Sequence, residues 1–426
     1  MPLITILDAN SSGRDRTYPR NRSAFVLVHL ALCFASPQNL VVLLPTASPI
    51  YSSSRFPGRA RTAFPAALSV ASHISLVSCW AAVELLRRSA ATEAMAPAPA
   101  AAAMGAVAEL VEKAGGCAVI DGGFATQLEA LGADINDPLW SAACLISKPR
   151  LVKEVHMQYL EAGADVIISS SYQATIPGFL ARGMSLEEAE GLLRTSVKLA
   201  LEARDEFWKS ALRQSKPIYN HALVAASVGS YGAYLADGSE YSGSYGAGIT
   251  TEKLKDFHRR RLQVLASAGP DLIAFEAIPN KMEAQALVEL LEEENIQVPS
   301  WICFSSVDGK HLCSGESFAD CLQIINASDK VAVVGVNCTP PQFIEGIITE
   351  FKKQTKKAIA VYPNSGEVWD GRDKRWLPAE CFGHMSFDAL AKRWQEAGAS
   401  LIGGCCRTTP TTIRAVSKIL KGKAGH

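Results

Sequence analysis

Three cysteines stand where their thiols could act on a common target. Cys405 and Cys406 are adjacent in the stretch LIGGCCRTTP, directly after two glycines, and Cys338 ends the apolar run VAVVGVNC. Successive side chains on a regular strand point to opposite faces, so a cysteine doublet can share a target only where its strand breaks down. The two glycines predict such a break, because glycine adopts backbone angles that other residues avoid.

Three thiolates suit Zn²⁺, which binds sulfur in tetrahedral geometry at about 2.3 Å. Structural zinc sites close the tetrahedron with a fourth protein ligand, often from Cys-x-x-Cys pairs, and this sequence contains no such pair. The pattern therefore predicts a zinc ion with one open position, as in catalytic sites. The alternative is that the doublet is simply a pair of buried apolar thiols.

An open position beside three thiolates would attract a fourth sulfur. A free alkyl thiol is mostly protonated at neutral pH, whereas metal coordination deprotonates it. The resulting thiolate could attack an activated carbon, such as a methyl group on a sulfonium. Such a reaction needs no general base, because the metal takes the place of the proton.

The elements that must position these thiols repeat along the chain from residue 117 onward. Eight short apolar runs alternate with helical segments, and such runs suit parallel strands that are covered on both faces. The runs occupy residues 117–123, 165–171, 222–229, 271–277, 300–306, 331–338, 358–364 and 400–406. Eight alternations predict an α/β fold, a (β/α)₈ TIM-type barrel. A doubly wound sheet is the alternative, but its GxGxxG fingerprint is missing after the first strand.

A barrel would place the polar residues that end these strands on one rim. They are Asp121, Ser169 to Ser171, Glu276, Cys338, Asn364, Cys405 and Cys406. Only the seventh strand separates the sixth from the eighth, so Cys338 could approach the doublet. Four other cysteines lack such placement, and we expect them in the core or on the surface: Cys303, Cys313, Cys321 and Cys381. Thr409 and Pro410 suit the N-cap and first turn of the last helix.

The composition limits the classes of partner. The chain has 42 basic and 42 acidic residues, so no global field attracts nucleic acid, and no apolar run reaches the length of a membrane span. Eleven cysteines without close disulfide spacing favour reduced thiols or metal ligands. We expect small-molecule substrates, no nucleic acid and no membrane, and nothing here predicts the oligomeric state.

The first 94 residues differ from the rest. They contain nine Arg, no Lys and four acids, a net charge of +5 against −5 for the remainder. This Arg-rich and Ser-rich composition is typical of an organelle transit peptide, while the run AFVLVHLALCFA could be a late signal-peptide core. Met95 also begins a stretch like an ordinary protein start, so the leader could be a gene-model extension. We predict an unstructured extension over 1–94 and a barrel domain over 95–426. We expect a cytoplasmic protein, or a plastid or mitochondrial one if the leader is a genuine transit peptide.

Several motifs resemble those of the homocysteine S-methyltransferase family over about Ala114 to Ile419. They are DGGFATQLE, LEAGADVIISSSYQAT, GVNCTPP, YPNSGEVW and GGCCRTTP. YPNSGEVWDG and DPLWSA, without a cobalamin or folate domain, are most similar to the plant-type enzymes that use S-methylmethionine. The resemblance implies zinc bound by Cys338, Cys405 and Cys406. It also implies methyl transfer from S-methylmethionine to the thiol of homocysteine, which yields methionine.

The same resemblance implies contacts to the substrate homocysteine. Asp121 and Glu276 would hold its ammonium group, since charge-assisted hydrogen bonds are strong, although Glu276 could instead form a salt bridge on the rim. Ser169 and the backbone at Tyr172 are the nearest matches to a carboxylate site, although serine runs also form turns. Asn364 resembles a residue that fills the open zinc position without substrate, although Asn in PNSG also suits a turn.

Other residues have two readings each. Trp140, in the loop after the first strand, resembles a tryptophan that contacts the methyl donor, and aromatic faces attract cations, but it could only pack the loop. The segment 230–248 could be a lid over the substrates or a long flexible loop. His156 and His258 fall on predicted outer helices, where we expect surface or packing roles.

Two alternative functions stay open. The first is the same chemistry with S-adenosylmethionine or betaine as the methyl donor. The second, from a different class, is a non-catalytic zinc-binding or redox-sensing barrel. It predicts a disulfide between Cys338 and Cys405 or Cys406 and no methyl transfer.

Overall fold

The computed structural model describes residues 99–213, 220–370, 375–377 and 385–422. The predicted extension over 1–94 and the domain boundary at 95 lie outside the described residues, so both stay predictions. Cys381 lies outside them as well.

Eight parallel strands form the centre of the molecule. They are β1 (Ala118–Val119), β2 (Val166–Ile168), β3 (Leu223–Gly229), β4 (Leu272–Ile278), β5 (Ser300–Phe304), β6 (Val331–Asn337), β7 (Ala358–Tyr362) and β8 (Leu401–Ile402). From β2 to β8 each strand pairs with the next along the chain, and β8 pairs with β1. A parallel bridge between Ile120 and Val166 joins β1 to β2. The predicted (β/α)₈ barrel is therefore confirmed.

Helices follow every strand and cover the barrel. The described helices are α1 (Pro99–Lys113), α2 (Phe124–Ala130), α3 (Ala143–Ser147), α4 (Pro149–Glu161), α5 (Ile176–Leu180), α6 (Leu186–Arg213), α7 (Tyr231–Leu235), α8 (Ser239–Ser242), α9 (Thr251–Ser267), α10 (Lys281–Glu293), α11 (Phe318–Asn326), α12 (Ile344–Gln354), α13 (Phe387–Ala397) and α14 (Pro410–Leu420). Single 3₁₀ turns occur at Trp140–Ala142 and Pro341–Phe343, and an antiparallel ribbon pairs Val368–Asp370 with Arg375–Leu377. None of the described helices is long and apolar enough to cross a membrane.

The start of α14 has the capping chemistry that its sequence predicts. The Thr409 hydroxyl accepts a hydrogen bond from the Thr412 N–H, and the Thr412 hydroxyl accepts one from the Thr409 N–H. Pro410 occupies the first turn, where its missing N–H costs nothing. This cap fixes the point at which the chain leaves the GGCC turn.

Two apolar cores hold the barrel together. The larger one lies between the strands and the outer helices, and the smaller one fills the barrel interior. Val107 and Leu110 of α1, and Ala114 directly after it, belong to the interior core, together with residues from the amino ends of strands such as Ala118 and Leu272. Helix α1 therefore covers the amino-terminal mouth of the barrel, a role that we did not expect for this stretch.

The alternation of side chains along β4 orients Glu276. Leu272 and Ala274 belong to the interior core, and Glu276 has the same parity, so its side chain also enters the barrel. The register of β4 with β5 shifts between Phe275 and Ile278, and Ala277 between them has φ of +52°. The carboxylate thus lies at the carboxyl end of the interior, where barrel enzymes carry their chemistry.

Candidate metal centre and substrate pocket

The three predicted cysteines meet at the carboxyl end of the barrel. Cys338 directly follows β6, and the doublet lies three residues beyond β8. The Cys338 and Cys405 sulfurs are 2.6 Å apart, those of Cys405 and Cys406 are 3.9 Å apart, and all three lie within 4.8 Å of one another. These thiols are free, and the shortest separation exceeds the disulfide bond length of about 2.05 Å.

A tight turn brings both sulfurs of the doublet to one side. The Cys405 N–H donates to the Pro363 carbonyl (2.8 Å), and the Thr408 hydroxyl donates to the Cys405 carbonyl (2.7 Å). Arg407 has φ of +66°, and Cys338 on the neighbouring segment has φ of +48°. Both values lie in the left-handed region, which non-glycine residues seldom adopt. The backbone thus leaves strand geometry at the cysteines themselves.

The two glycines before the doublet serve a different purpose from the one predicted. Neither Gly403 nor Gly404 has positive φ, so the expectation that they supply unusual backbone angles was wrong. A Cβ on Gly403 would lie 2.7 Å from the Asp121 carbonyl oxygen, and one on Gly404 would lie 2.3 Å from the Thr408 hydroxyl. Glycine is needed because this segment packs directly against the end of β1 and against Thr408.

The sulfur cluster (Cys338, Cys405 and Cys406) fits a soft tetrahedral metal. Sulfurs bound to one zinc ion lie about 3.8 Å apart, close to the Cys405–Cys406 separation, whereas Cys338 and Cys405 must move apart by about 1 Å. In the described part of the chain no fourth cysteine joins them. Hydrogen bonds from Cys338 and Cys405 hold the pKa of the Cys406 thiol far below its ordinary value, so the cluster readily presents a thiolate.

Asn364 lies beside the sulfur cluster, as its place at the end of β7 predicts. Its N–H donates to the Thr339 carbonyl (3.2 Å), and the N–H of the next residue, Ser365, donates to the Cys406 carbonyl (3.0 Å). The side-chain oxygen of Asn364 is buried and has no hydrogen-bond partner among the described residues. Its role as a fourth ligand in the absence of substrate stays a prediction.

Two buried carboxylates lie under the sulfurs. An Asp121 oxygen accepts a hydrogen bond from the Ile168 N–H (2.8 Å), and Glu276 accepts one from the Ser227 hydroxyl. Burial raises the pKa of Asp121 well above its ordinary value and that of Glu276 to about 8, and the nearby Cys405 raises both further. No described basic residue forms a salt bridge with either. The pair is therefore suited to bind an ammonium group.

Among the three serines that follow β2, the free hydroxyl belongs to Ser170. The Ser169 hydroxyl lies 2.7 Å from that of Ser171 and accepts a hydrogen bond from the Ser227 N–H, so it joins β2 to β3. The Ser170 hydroxyl is buried without a partner among the described residues. The three identical neighbours carry no signal that could distinguish them, and the carboxylate contact was predicted for Ser169 rather than for Ser170.

The backbone carbonyl of Tyr172 makes a structural contact. Arg261, a buried residue that sequence reasoning missed, donates to the carbonyls of Ser171 and Tyr172, each at 2.7 Å, and to that of Gly229 at 3.0 Å. Burial lowers the pKa of this guanidinium to about 10. Its three bonds hold the ends of β2 and β3 together. A substrate carboxylate would accept from the Tyr172 N–H rather than from this carbonyl, so the predicted carboxylate contact at the Tyr172 backbone stays a prediction.

The Tyr172 side chain, in contrast, reaches towards the sulfur cluster. Burial raises the pKa of its hydroxyl, and the charges of Cys338 and then Glu240 raise it further. Its ring makes an edge contact with Trp140, with the ring centroids 6.4 Å apart. Trp140 therefore packs against Tyr172, and its contact with the methyl donor stays a prediction.

The segment 230–248, which we call the β3 loop, is structured and lies against the sulfur cluster. Burial raises the pKa of Tyr241 in this loop, and the neighbouring thiols of Cys406 and Cys338 raise it further. The buried carboxylate of Glu283 accepts hydrogen bonds from the Tyr231 N–H (2.6 Å) and from the Tyr245 hydroxyl. The loop thus carries helices α7 and α8 and is fastened at both of its ends.

The two histidines on outer helices are packing residues. His156 and His258 are both fully buried, so the surface alternative is wrong. Burial lowers the pKa of His156 to about 3, and His258 lies 2.8 Å from a Glu283 oxygen. Neither contacts the sulfur cluster. The other cysteines behave as expected, since Cys303 and Cys321 are buried and Cys313 is half-buried.

Known proteins resemble this chain over the whole barrel. A family model described as homocysteine S-methyltransferase matches residues 118–420. The curated homocysteine S-methyltransferase 1 of Zea mays is 88% identical over 323 residues, which are 76% of this chain and 100% of that protein. Its namesake from Brassica oleracea var. italica is 66% identical over 313 residues, 74% and 96% of the two chains. The metallated form of the Escherichia coli homocysteine methyltransferase MmuM superposes with a TM-score of 0.62 at 38% identity, covering 71% of this chain and 95% of that one. This chain belongs to the homocysteine S-methyltransferase family.

Proposed function

We propose that this methyltransferase transfers a methyl group from S-methylmethionine to the thiol of L-homocysteine, with Zn²⁺ held by Cys338, Cys405 and Cys406. The observation that carries the proposal is the meeting of these three sulfurs at the end of the barrel that also holds two buried carboxylates, with which no described basic residue forms a salt bridge. Sulfur ligands suit zinc, and the carboxylates suit an amino acid. The names of the curated relatives support homocysteine as the acceptor.

The chain's own residues bind, orient and shield the substrates. Asp121 and Glu276 would hold the homocysteine ammonium group, and the buried, unpartnered hydroxyl of Ser170 would meet its carboxylate. A zinc ion, when bound, supplies the Lewis acidity that keeps a substrate thiol deprotonated at neutral pH.

The electrons balance in a single displacement. The attacking sulfur forms a bond to the methyl carbon while the sulfonium–methyl bond breaks, and the bonding pair stays on the donor sulfur. Both products are methionine. A thiolate and a sulfonium thus become two neutral thioethers, and a pocket that excludes water favours this loss of charge. Tyr172 and the β3 loop with Tyr241 would provide that cover.

A donor assay tests the proposal. Reduced, zinc-loaded protein is incubated with homocysteine and one of three donors: S-methylmethionine, S-adenosylmethionine or betaine. We expect S-methylmethionine to give the highest kcat/KM, measured as methionine formed. A higher value with another donor would make the donor wrong while methyl transfer to homocysteine stands. No methyl transfer at all, with a Cys338 disulfide in place of bound metal, would favour the non-catalytic or redox-sensing barrel.

A further inference from the structure

A third carboxylate, half-buried in the β3 loop, has no role so far. Glu240 lies on α8 in the β3 loop, and one of its carboxylate oxygens is buried without a hydrogen-bond partner among the described residues. No described basic residue forms a salt bridge with it. A buried carboxylate oxygen without a partner is costly, so its presence calls for a ligand.

The surroundings of Glu240 place it on the loop side of the sulfurs. Its charge raises the pKa of both Tyr172 and Tyr241, and the charge of Cys338 acts on the same two hydroxyls. The Ser305 hydroxyl donates to the Glu240 backbone carbonyl (3.4 Å), which fixes the loop at this residue. Glu240 and Tyr241, both in the β3 loop, therefore lie near Tyr172, which follows β2, and near the cluster.

Asp121 and Glu276 lie on the barrel side of the same cluster. The Asp121 carboxylate accepts a hydrogen bond from Ile168 on β2, and the Glu276 carboxylate accepts one from Ser227 on β3. The charge of Cys405 raises the pKa of both carboxylates. The carboxylates are thus divided into a pair in the barrel and a single one in the loop. The proposed reaction brings together two amino acids, each with an ammonium group, so it requires two separate anionic subsites.

The charge changes of the reaction decide which cation suits Glu240. The sulfonium of the donor loses its charge during methyl transfer, so a carboxylate aimed at it would stabilise the reactant more than the transition state and slow the reaction. The ammonium group keeps its charge throughout the reaction, so a carboxylate can bind it equally well in the reactant and in the transition state. The faces of Tyr172 and Tyr241 can accept the sulfonium through weaker cation–π contacts.

We infer that Glu240 binds the α-ammonium group of the methyl donor and thereby selects amino-acid donors, an inference that rests on the proposed function. Homocysteine and the donor then approach the sulfur cluster from opposite sides, one held in the barrel and the other by the β3 loop. Betaine, whose nitrogen carries no N–H, cannot form this bond. Glu240 is thus a specificity-determining residue.

Glu240→Gln tests the inference, because it keeps the side-chain shape and removes the charge. We expect KM for S-methylmethionine to rise about 10-fold to 100-fold, as for the loss of a charge-assisted hydrogen bond, with KM for homocysteine changed less than about threefold. The second donor is dimethylsulfoniopropionate, a sulfonium without an ammonium group, and its kcat/KM should be the same in both proteins. Glu187→Gln, the same change at an exposed position on α6, should alter nothing.

Several results would overturn the inference. Equal losses of kcat/KM with both donors in Glu240→Gln would indicate a structural role for Glu240. An unchanged KM for S-methylmethionine would exclude a contact between Glu240 and the ammonium group of the donor. Calorimetric titration of S-methylmethionine should show the same weakening in Glu240→Gln without turnover. If that variant does not fold, the wild-type protein still tests the inference. Equal wild-type kcat/KM for S-methylmethionine and dimethylsulfoniopropionate would contradict an ammonium subsite. Failure of the wild type to use S-methylmethionine while it uses betaine would instead refute the proposed donor.

Discussion

The three thiols of the sulfur cluster are not equivalent. Hydrogen bonds from its two neighbours lower the pKa of Cys406, whereas the same contacts and burial raise the pKa of Cys338. Metal binding must displace the shared protons, so it releases protons and weakens as the pH falls. The cluster is therefore a preformed set of soft ligands whose thiols share protons that a metal ion would displace.

Replacement of one cysteine tests whether the three thiols bind zinc together. Cys338→Ala leaves two sulfurs, so we expect zinc affinity to fall by more than about a hundredfold and methyl transfer to disappear with it. Metal content of the purified, reduced protein and methionine formation measure the two effects. Cys313→Ala, which alters a half-buried free thiol outside the cluster, should retain both. Full turnover by Cys338→Ala would contradict the metal site.

The raised pKa of Glu276 predicts that the stability of the metal-free protein depends on pH. Its folded pKa of about 8 lies above the ordinary value of 4.5, so the folded state binds a proton more tightly than the unfolded state. The protonated Glu276 side chain therefore adds to the unfolding free energy in full below about pH 4.5, and this stabilisation is lost as the pH rises through 8. We expect Glu276→Gln to be more stable than the wild type at pH 8 by roughly 2–5 kcal/mol, with little difference at pH 5. Urea unfolding at both pH values measures this, and a difference that does not change with pH would contradict it.

At the scale of elements, the turn after β8 and the β3 loop complete the site. The turn depends on glycine for space, because Gly404 packs against Thr408, whose hydroxyl bonds to the Cys405 carbonyl and accepts from the Gly123 N–H. The loop depends on Glu283, which joins it to α9 and α10. Each element is thus held by a contact that a single substitution removes.

Gly404→Ala should disturb the cysteine turn. The added methyl group would overlap Thr408, and the shift of that residue would break its bonds and separate the doublet from Cys338. We expect a loss of about 2 kcal/mol or more in unfolding free energy, together with weaker zinc binding. Gly191→Ala, at a helical position with open space around it, should instead be neutral or slightly stabilising. Thermal unfolding and metal titration distinguish the two variants.

Glu283→Gln should loosen the β3 loop. The change keeps the size of the side chain but removes the charge that Tyr231, Tyr245 and His258 share. We expect a destabilisation of about 1–3 kcal/mol, faster amide exchange in residues 230–248 and a higher KM for the methyl donor. Glu289→Gln, on the outer side of the same helix beside Lys255, is the matched control. Unchanged exchange in the loop would show that Glu283 does not hold it.

At the scale of the whole molecule, α1 completes the barrel by covering its amino-terminal mouth. Val107 and Leu110 pack in the same core as Trp301, so their removal would expose apolar surface in the barrel interior. The site at the opposite end depends on the strands that this core supports. The part of the chain needed for function therefore begins before β1.

Two truncations test where the functional chain begins. A protein that starts at Met95 keeps α1, and we expect it to retain the melting temperature and activity of the full chain. A protein that starts at Gly115 lacks α1, and we expect it to lose several kcal/mol of stability through exposure of the interior core. Equal stability of the two truncated proteins would contradict the role of α1. Loss of activity on removal of 1–94 would show that the predicted extension contributes to function.

Residue types and their order along the chain were enough to predict the barrel and the meeting of its three cysteines. Eight apolar runs alternate with helices, and any parallel barrel collects the carboxyl ends of its strands on one rim, so Cys338, Asp121 and Glu276 had to lie near the cysteine doublet. Chemistry that depends on strand ends is therefore readable from sequence. The same logic placed Asn364 beside the cluster.

Only the tertiary structure decided which of several similar groups is free to act. The hydroxyls of Ser169 and Ser170 differ because β3 engages one and not the other. Glu240 is held in place by a loop that Glu283, 43 residues further on, fastens. The roles of Gly404 and α1 likewise follow from packing against distant segments. Spacing along a chain does not encode such contacts, because they depend on the distances between side chains from elements that meet only after folding.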